Sequence, residues 1–388
     1  MNYRFVDYLA MVADEQRTGA YARALRRLVT PESIVLDLGA GFGFFAILAA
    51  RLGARHAYAI EPNDVVAFGP ALARANGVAD RVTFFRGDSR KVQLPERATL
   101  LVEDLRSVLP LQDNRFALLR DARERLLTAD AQSVALRDRL WAAPARHPAS
   151  YRHLIDAAGP NTCGVDLRPL RALLADDVWT KNTGAGDLLL PGALVGEFDL
   201  LSDLDAGFDG TARWTCSEAL AADGFAVWFD AELAGGERFS SAPGPDQTVH
   251  RCLYLPLRET LAIPGGVDLT FRFCGIHAGE RYSWAWESAL ADVAGNVLRR
   301  TPRQSSLFAS ALTPMTLRSL SEQHRPVLGP EGQRWRAADH LVDGTRSSHE
   351  IADALAAAPS NGFDSAAEAL NWLTQALRLL ESGVVEQL

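Results

Sequence analysis

The sequence is poor in the features that mark secreted, metal-binding and membrane-spanning proteins. Its 388 residues contain four cysteines, which are far apart and form no CxxC pair, so a disulfide framework or a zinc site is not expected. No apolar run approaches the roughly 20 residues that a membrane helix needs. The N-terminal stretch has scattered charges and no apolar core, unlike a secretory signal. These absences predict a cytoplasmic protein with no metal and no membrane partner.

Length, charge and composition narrow the class further. The net charge of -8 argues against nucleic acid as a partner. The composition is that of a soluble globular protein, and a chain of this length is expected to form two or three domains. We assign N-terminal helices to residues 1–30, an α/β domain to 31–160, a β-domain to 161–300 and a C-terminal module to 301–388.

Residues 34–61, IVLDLGAGFGFFAILAARLGARHAYAIE, have the pattern of a βαβ unit. Gly39, Gly41 and Gly43 allow a tight turn that can lie close to a ligand, because glycine has no Cβ. Glu61 ends the second predicted strand, where a carboxylate can accept hydrogen bonds from the hydroxyls of a ribose. The pattern predicts a nucleotide-type ligand above this turn.

Asp37, two residues before Gly39, narrows the choice of ligand. An acid there would repel a pyrophosphate, whereas it suits a ligand with a cationic centre and no phosphate. D-L-G-A-G-F-G resembles motif I of the class I S-adenosylmethionine (SAM) methyltransferases, although a Rossmann-like fold that binds another ligand stays open. The resemblance implies SAM as cofactor, S-adenosylhomocysteine as product, and contacts from Asp37, Gly39, Ala40, Gly41, Glu61 and Pro62.

Two further strands are predicted to end in the same crevice as the glycine turn and Glu61. RVTFFRGDSRKVQLP (81–95) gives a strand that ends at Asp88 and Ser89, where the resemblance implies contact with adenine, and RATLLVED (97–104) gives one that ends at Glu103. Ligands of open α/β sheets lie outside the carboxyl ends of the strands. The predicted fold class is therefore α/β, and the resemblance implies a Rossmann-like, seven-stranded methyltransferase domain.

The N-terminal stretch narrows the resemblance to the protein arginine methyltransferases. Met11, Asp14, Arg17 and Tyr21 match the M-x-x-D-x-x-R-x-x-x-Y pattern of the family's helix that closes over SAM. The resemblance implies that Arg17 pairs with the methionine carboxylate of SAM, for which a guanidinium fork is well suited. It also implies that Met11 and Asp14 lie on the substrate side.

Two carboxylates are the predicted acceptor-side acids. Glu103 matches the first glutamate of the family's double-glutamate loop. Counting back from the A-R-x-x-x-L match at 122–127 aligns Asp113 with the second, across a one-residue insertion. Such acids would orient a cationic acceptor, and one can take its proton. Asp113 could equally be the N-cap of the helix that follows, since Asp is preferred there.

The same loop departs from the family at its centre. Residues 104–107, DLRS, replace the family's W-M-G-Y run, and Asp113 is one methylene shorter than glutamate. Bidentate recognition of a planar guanidinium depends on geometry. A simpler amine is therefore at least as well supported as arginine as the acceptor.

After residue 164 the sequence consists of short apolar stretches separated by Gly and Pro. This pattern predicts an antiparallel β-barrel. GFAVWFDAEL (224–233) alternates as a half-buried strand does. The stretch at 248–250 resembles the family's T-H-W turn, with Val249 in place of its histidine and His250 in place of its tryptophan. His250 is a candidate base or orienting group, or a barrel-edge histidine without a catalytic part.

The last 65 residues form a predicted unit of their own. Ser347 opens a helix with Glu350 at capping-box spacing, and residues 364–380 carry an amphipathic stripe. LVDGTRSSHEIADAL (341–355) resembles the small winged-helix modules of peptide-modifying systems, which bind a leader peptide along a sheet edge. A helical packing or oligomerisation cap is the alternative.

Together these features predict a SAM-dependent N-methyltransferase that acts on the amine terminus of a peptide, a ribosomally synthesised natural-product precursor. The first alternative is a protein arginine N-methyltransferase, and the second is a non-catalytic scaffold that binds SAM or a peptide. Relatives of this architecture dimerise, so the resemblance also implies a homodimer.

Overall fold

The computed structural model divides the chain into two compact units, residues 1–311 with 386–388, and residues 312–385. The residues that it describes are 3–111, 114–159, 163–180, 183–202, 207–245, 247–278, 281–309, 318, 321, 323–358, 361–380 and 385–388.

A parallel sheet forms the first half of the larger unit. Its strands are β1 (Ile34–Leu38), β2 (His56–Glu61), β3 (Val82–Arg86), β4 (Ala98–Glu103) and β5 (Leu127–Ser133), in the order β3-β2-β1-β4-β5. Accompanying helices are α1 (Phe5–Ala13), α2 (Glu15–Leu28), α3 (Phe44–Arg51), α4 (Gly69–Ala75) and α5 (Arg115–Asp121). Every residue of β1 is buried, as expected for a central strand of a parallel sheet that is covered on both faces. The predicted α/β architecture is confirmed.

Two antiparallel sheets make up the second half of this unit. The strands are β6 (Ala135–Ala145), β7 (Ala193–Asp199), β8 (Phe208–Cys216), β9 (Leu220–Leu233), β10 (Arg238–Ser240), β11 (Leu253–Ile263), β12 (Val267–Ala278), β13 (Arg281–Ala291), β14 (Val297–Arg300) and β15 (Gln304–Ser305). Strands β6, β7, β9, β10 and β11 form one sheet, and β8 with β12 to β15 forms the other. Because β6 pairs with both β7 and β9, the antiparallel structure begins well before the predicted boundary at residue 160.

Strand β9 differs from its predicted half-buried state. Phe225 stacks on Phe271 of the other sheet, with ring centroids 4.1 Å apart. The opposite face of β9 is also covered, because Ala226 and Trp228 pack in a cluster with Tyr151 of helix α6 (Ala149–Ala157). The sequence alternation was misleading because small and aromatic apolar residues fill both faces of the strand.

The chain returns to the parallel sheet at its C-terminus. Strand β16 (Glu386–Gln387) pairs antiparallel with β3, and Leu388 N donates to Phe84 O at 2.9 Å. Edge strands expose unpaired backbone groups, and here the chain's own end covers them. With β16 the sheet has six strands among the described residues, where seven were predicted.

The smaller unit contains α8 (Pro330–Asp339), α9 (Ser348–Ala357) and α10 (Ala366–Leu380) around a core that includes Ala338, Leu355 and Leu373. Helix α7 (Arg171–Asp176) belongs to the larger unit. The predicted capping box is present, since Glu350 N donates to Ser347 Oγ at 3.3 Å and Ser347 N donates to Glu350 Oε2 at 2.7 Å. No strand occurs among the described residues of 312–385, so winged-helix recognition of a leader peptide stays a prediction.

No helix of the described ranges combines the length and the apolar character that a bilayer-crossing segment requires.

Replacing Phe225 with alanine is expected to destabilise the larger unit strongly. The side chain is fully buried, and truncating a buried phenylalanine typically costs about 3–5 kcal/mol. Phe308→Ala is the matched control, because that side chain is 52% exposed. Urea denaturation followed by tryptophan fluorescence measures both variants, and equal losses would contradict the packing described here.

Candidate active site

The glycine turn after β1 brings the backbone close to the ends of two strands. Gly39 and Gly41 have φ angles of 73° and 57°, in the left-handed region where other side chains are strained. An added Cβ on Gly41 would lie 2.8 Å from Tyr8 Cδ1, and one on Gly39 would overlap Leu105. The turn therefore requires glycine at both positions.

Glu61, at the end of β2, fixes this turn. Its Oε2 accepts from Gly41 N at 2.9 Å, and its Oε1 accepts from Asn63 N at 3.0 Å and from Asn63 Nδ2 at 2.7 Å. Burial raises the pKa of Glu61, and the hydrogen bonds from Gly41 and Asn63 oppose that shift. Oε2 keeps acceptor capacity for a ligand hydroxyl, because it accepts one hydrogen bond whereas Oε1 accepts two.

Asp37 is a buried acid at the end of β1. Its Oδ2 accepts from Ala46 N at 2.9 Å, at the start of α3. Burial raises the pKa of Asp37 to about 7, with a smaller rise from the charge of Glu61 and an opposing effect from Arg17. The carboxyl group is thus poised to ionise near neutral pH, and a cationic ligand would favour that ionisation.

The strand ends border two cavities that share part of their lining. The first encloses about 430 Å³ and is lined by most of the predicted residues, namely Met11, Arg17, Asp37, Gly39, Ala40, Gly41, Glu61, Pro62 and His250. The second encloses about 730 Å³ and is lined by Asp88 and Ser89 together with Gly39 and Pro62. Leu105 and Ser107 line both cavities. The predicted cofactor residues therefore lie along one crevice.

Asp88 is already paired inside the second cavity. Its Oδ2 lies 2.6 Å from Arg90 Nη2, and its Oδ1 accepts from Arg90 N at 3.0 Å, which caps the short turn at Ser89–Lys91. The side chain of Ser89 is buried. The contact of Asp88 and Ser89 with an adenine stays a prediction, and Asp88 has a structural role as well.

Asp14 accepts hydrogen bonds from two backbone groups. Its Oδ1 accepts from Arg17 N at 3.1 Å as the N-cap of α2, and its Oδ2 accepts from Val249 N at 2.8 Å. The aspartate therefore joins the N-terminal helices to the β-domain. Its predicted place among the substrate contacts stays a prediction beside this bridging role.

Arg17 is buried beside the glycine turn, and its guanidinium already has hydrogen-bond partners within the protein. Its guanidinium donates through Nη1 to Met11 O at 2.9 Å and through Nε to Asp104 Oδ2. The predicted partner, the carboxylate of a cofactor, would approach a guanidinium that already holds an internal acid. Met11 takes part through its carbonyl and is among the residues that line the first cavity.

The Arg17–Asp104 pair begins a series of buried charges that alternate in sign. We call this series the buried charge chain; it runs Arg17, Asp104, Arg106, Asp138, Arg115, Glu103. None of the six side chains is more than 7% exposed. Three guanidinium groups thus face three carboxylates away from bulk water, where unpaired charges would be very costly.

Arg106 is the centre of this chain. It donates to Asp138 Oδ1 through Nε at 2.9 Å and Nη2 at 2.7 Å, and through Nη1 to Asp104 Oδ1 at 2.9 Å and Tyr21 OH at 2.6 Å. Burial opposes ionisation of Asp104, but the Arg17 guanidinium and the His250 ring beside it outweigh that effect and hold the pKa of Asp104 well below the usual range. The loop after β4 is therefore held as an ionised, fully paired segment.

Arg115, the first residue of α5, completes the chain. Its Nη2 lies 2.7 Å from Glu103 Oε1 and its Nε lies 3.3 Å from Glu103 Oε2, while Nη1 lies 2.7 Å from Asp138 Oδ2. Burial opposes ionisation of Asp138 too, but Arg106 and Arg115 keep its pKa lowered. Glu103, the predicted acceptor-side acid, is engaged by an internal guanidinium.

His250 contacts the same loop with both ring nitrogens. Nδ1 lies 2.8 Å from Ser107 O, so the ring donates there, and Nε2 lies 3.4 Å from Asp104 Oδ2. The ring also stacks on Phe239, with centroids 5.9 Å apart. These contacts position the loop, and a role as a base stays a prediction. Asp113, the other predicted acid, lies outside the described residues.

The chain is similar in sequence to several methyltransferases. The sequence profile of ribosomal protein L11 methyltransferase (PrmA) matches residues 16–100. A probable protein arginine N-methyltransferase 6 from Arabidopsis thaliana is 26% identical over 237 residues, which are 58% of this chain and 54% of that protein. Protein arginine N-methyltransferase PRMT10 from Oryza sativa is 35% identical over 138 residues, which are 35% of this chain and 36% of that protein.

Solved structures of protein arginine methyltransferases have a fold similar to that of this chain. The Trypanosoma brucei PRMT1 enzyme-prozyme complex has a TM-score of 0.70 at 18% identity, covering 78% of this chain and 98% of that one. Arabidopsis thaliana protein arginine methyltransferase 10 has a TM-score of 0.66 at 19% identity, covering 78% and 97%. This chain is protein-arginine-methyltransferase-like. It spans about half the length of the first curated relatives that it matches.

Within this arginine-methyltransferase-like fold, sequence reasoning missed most of the buried charge chain. In the sequence, Asp104 and Arg106 stand out only as departures from a family loop, and Asp138 and Arg115 belong to no motif. One signal was available: Asp138 lies in the apolar strand ALRDRLWAAPA, where a charge must find a partner. Its partners, however, are 32 and 23 residues away in sequence.

Replacing Asp37 with asparagine is expected to stabilise the protein more at pH 8 than at pH 4. The folded-state pKa of Asp37, about 7, lies above its usual 3.8, so its contribution to stability is present below about pH 4 and is lost as the pH rises through 7. Asparagine cannot ionise, and the difference should grow to at most about 4 kcal/mol. Thermal melts across this range, with exposed Asp80→Asn as control, measure it; a pH-independent difference would contradict the buried environment.

Proposed function

We propose that this protein is a SAM-dependent methyltransferase that methylates a nitrogen of a peptide or protein. The observation that carries the proposal is the glycine turn at 39–41 with Asp37 and Glu61 beside it, at the carboxyl ends of adjacent parallel strands. The likeness to arginine methyltransferases in sequence and fold supports it. Among the described residues, no group of three or more acidic, His or Cys side chains could hold a metal.

The donor set of the crevice fits SAM. Glu61 would accept from ribose hydroxyls, Asp37 would face the cationic part of the ligand, and Arg17 would face its carboxylate. Asp88 and Ser89, further along, would contact the adenine. When bound, SAM supplies a methyl group on a positively charged sulfur. The chain would hold the cofactor, exclude water and align an acceptor nitrogen whose lone pair is free.

The first candidate acceptor is a protein arginine. Its support comes from the relatives, which are named as arginine methyltransferases over matches of up to 70% of this chain. A third cavity of about 870 Å³ adjoins the first through Val249 and Arg251 and is lined by Asp14, Glu15 and Thr248 among others. An extended peptide would have room there, with its acceptor side chain directed to the crevice.

The second candidate acceptor is the amine terminus of a peptide, such as a ribosomally made precursor. The specific observation in its favour is that Glu103 is already neutralised by Arg115. The charges of the buried charge chain balance, so its carboxylates have no surplus negative charge for an incoming guanidinium. An amine that enters neutral does not need one. Leader-peptide binding by the tail, a homodimer and a cytoplasmic location remain predictions.

Glu61→Gln is expected to weaken SAM binding by about tenfold or more, because it removes a charged acceptor at the proposed ribose site. Isothermal titration calorimetry with SAM measures the effect, and exposed Glu32→Gln is the matched control. Wild-type protein that binds neither SAM nor S-adenosylhomocysteine would overturn the enzyme proposal and favour a non-catalytic scaffold.

Mass spectrometry after incubation with SAM separates the two acceptors. One synthetic peptide carries arginine and an acetylated terminus, and the other carries a free terminus and no arginine. Methyl groups on the first support the arginine candidate, and methyl groups on the second support the amine candidate. If SAM binds but neither peptide nor a panel of such pairs is methylated, nitrogen methylation is not the function.

A further inference from the structure

Arg115 belongs to the wall of the first cavity and pairs with Glu103. Arg115 is among the residues that line that cavity, whereas Glu103 is not among the described residues that do. The two side chains are each 1% exposed and form a fork, with Nη2 and Nε on separate carboxylate oxygens. An acceptor in the cavity would therefore meet a guanidinium before it met the carboxylate.

The fork uses the contacts that an acceptor guanidinium would need. Glu103 Oε1 accepts from Arg115 Nη2 at 2.7 Å, and Oε2 accepts from Arg115 Nε at 3.3 Å and from Leu105 N at 2.9 Å. A carboxylate recognises a guanidinium best through two parallel N–H···O bonds. While Arg115 is in place, a second guanidinium cannot form that pair on Glu103.

Arg115 is also held from its other side. Its Nη1 donates to Asp138 Oδ2 at 2.7 Å and to Pro110 O at 3.2 Å. Displacing it from Glu103 would leave a buried cation with only part of its partners, which is costly. A neutral amine in the cavity would not require that displacement, because it does not compete for the carboxylate.

We propose that Arg115 is a specificity-determining residue, an internal guanidinium that occupies Glu103 and disfavours arginine acceptors relative to amine acceptors. This inference rests on the proposed function, in which the acceptor nitrogen enters the first cavity. It concerns selectivity and is separate from whether the protein binds SAM. It also gives Glu103 a role in wild-type protein that differs from direct contact with the acceptor.

The test compares wild type, Arg115→Gln, Arg115→Lys and the double variant Glu103→Gln/Arg115→Gln, with exposed Arg74→Gln as the matched control. The acetylated arginine peptide and the arginine-free peptide with a free terminus serve as acceptors, and KM and kcat are measured separately. Arg115→Gln should lower KM for the arginine peptide by about tenfold and leave KM for the amine peptide nearly unchanged. The double variant should lose the gain, because the carboxylate is gone.

Arg115→Lys covers the case in which Arg115→Gln does not fold, as judged by its melting curve. Lysine keeps the charge but cannot form the fork, so the shift should have the same direction and be smaller. An unchanged ratio of the two acceptors in folded variants would overturn the proposal, as would an equal loss with both peptides, which would make Arg115 purely structural.

Calorimetry without turnover separates this inference from the proposed function. The acetylated arginine peptide is titrated into each variant in the presence of S-adenosylhomocysteine. Tighter binding to Arg115→Gln than to wild type and to the double variant supports the specificity role even if no methyl transfer occurs. Equal binding to wild type and folded Arg115→Gln contradicts it even if the protein proves to be a methyltransferase.

Discussion

A buried series of alternating charges holds the crevice together. Carboxylates from the end of β4, the loop after it and strand β6 face guanidinium groups from α2, the same loop and α5. Each charge is removed from water, and each is stable there because a partner of opposite sign lies within hydrogen-bond distance. Removing one partner of such a pair typically costs about 3–5 kcal/mol. The parallel sheet, the N-terminal helices and the antiparallel sheet are thus connected through one electrostatic unit.

The buried charge chain connects the cofactor side and the acceptor side of the proposed reaction. Arg17, on the side of the proposed cofactor, is the first member of the chain, and Glu103, the predicted acceptor-side acid, is the last. Between them the loop at 104–107 packs over the glycine turn and contacts His250. The loop that departs most from the family pattern is therefore the segment on which the internal ion pairs depend.

Several features could be predicted from sequence because they are local. The βαβ unit, its glycine turn and Glu61 lie within 28 consecutive residues, and backbone geometry alone requires glycine there. The capping box of α9 needs only four residues. Contacts with distant partners could not be predicted in this way: Asp14 contacts Val249, 235 residues away, and β9 is covered on both faces by segments from elsewhere in the chain.

The sequence by itself determined the fold class, the position of the cofactor crevice and the presence of acids at its edge, since each follows from short-range periodicity and turn chemistry. Only the tertiary structure decided what those acids face. Coulomb interactions act through space between residues that the fold brings together. The sequence around Glu103 therefore does not predict that Arg115 neutralises it. That contact sets the charge of the acid, and it depends on the fold and not on the count of carboxylates.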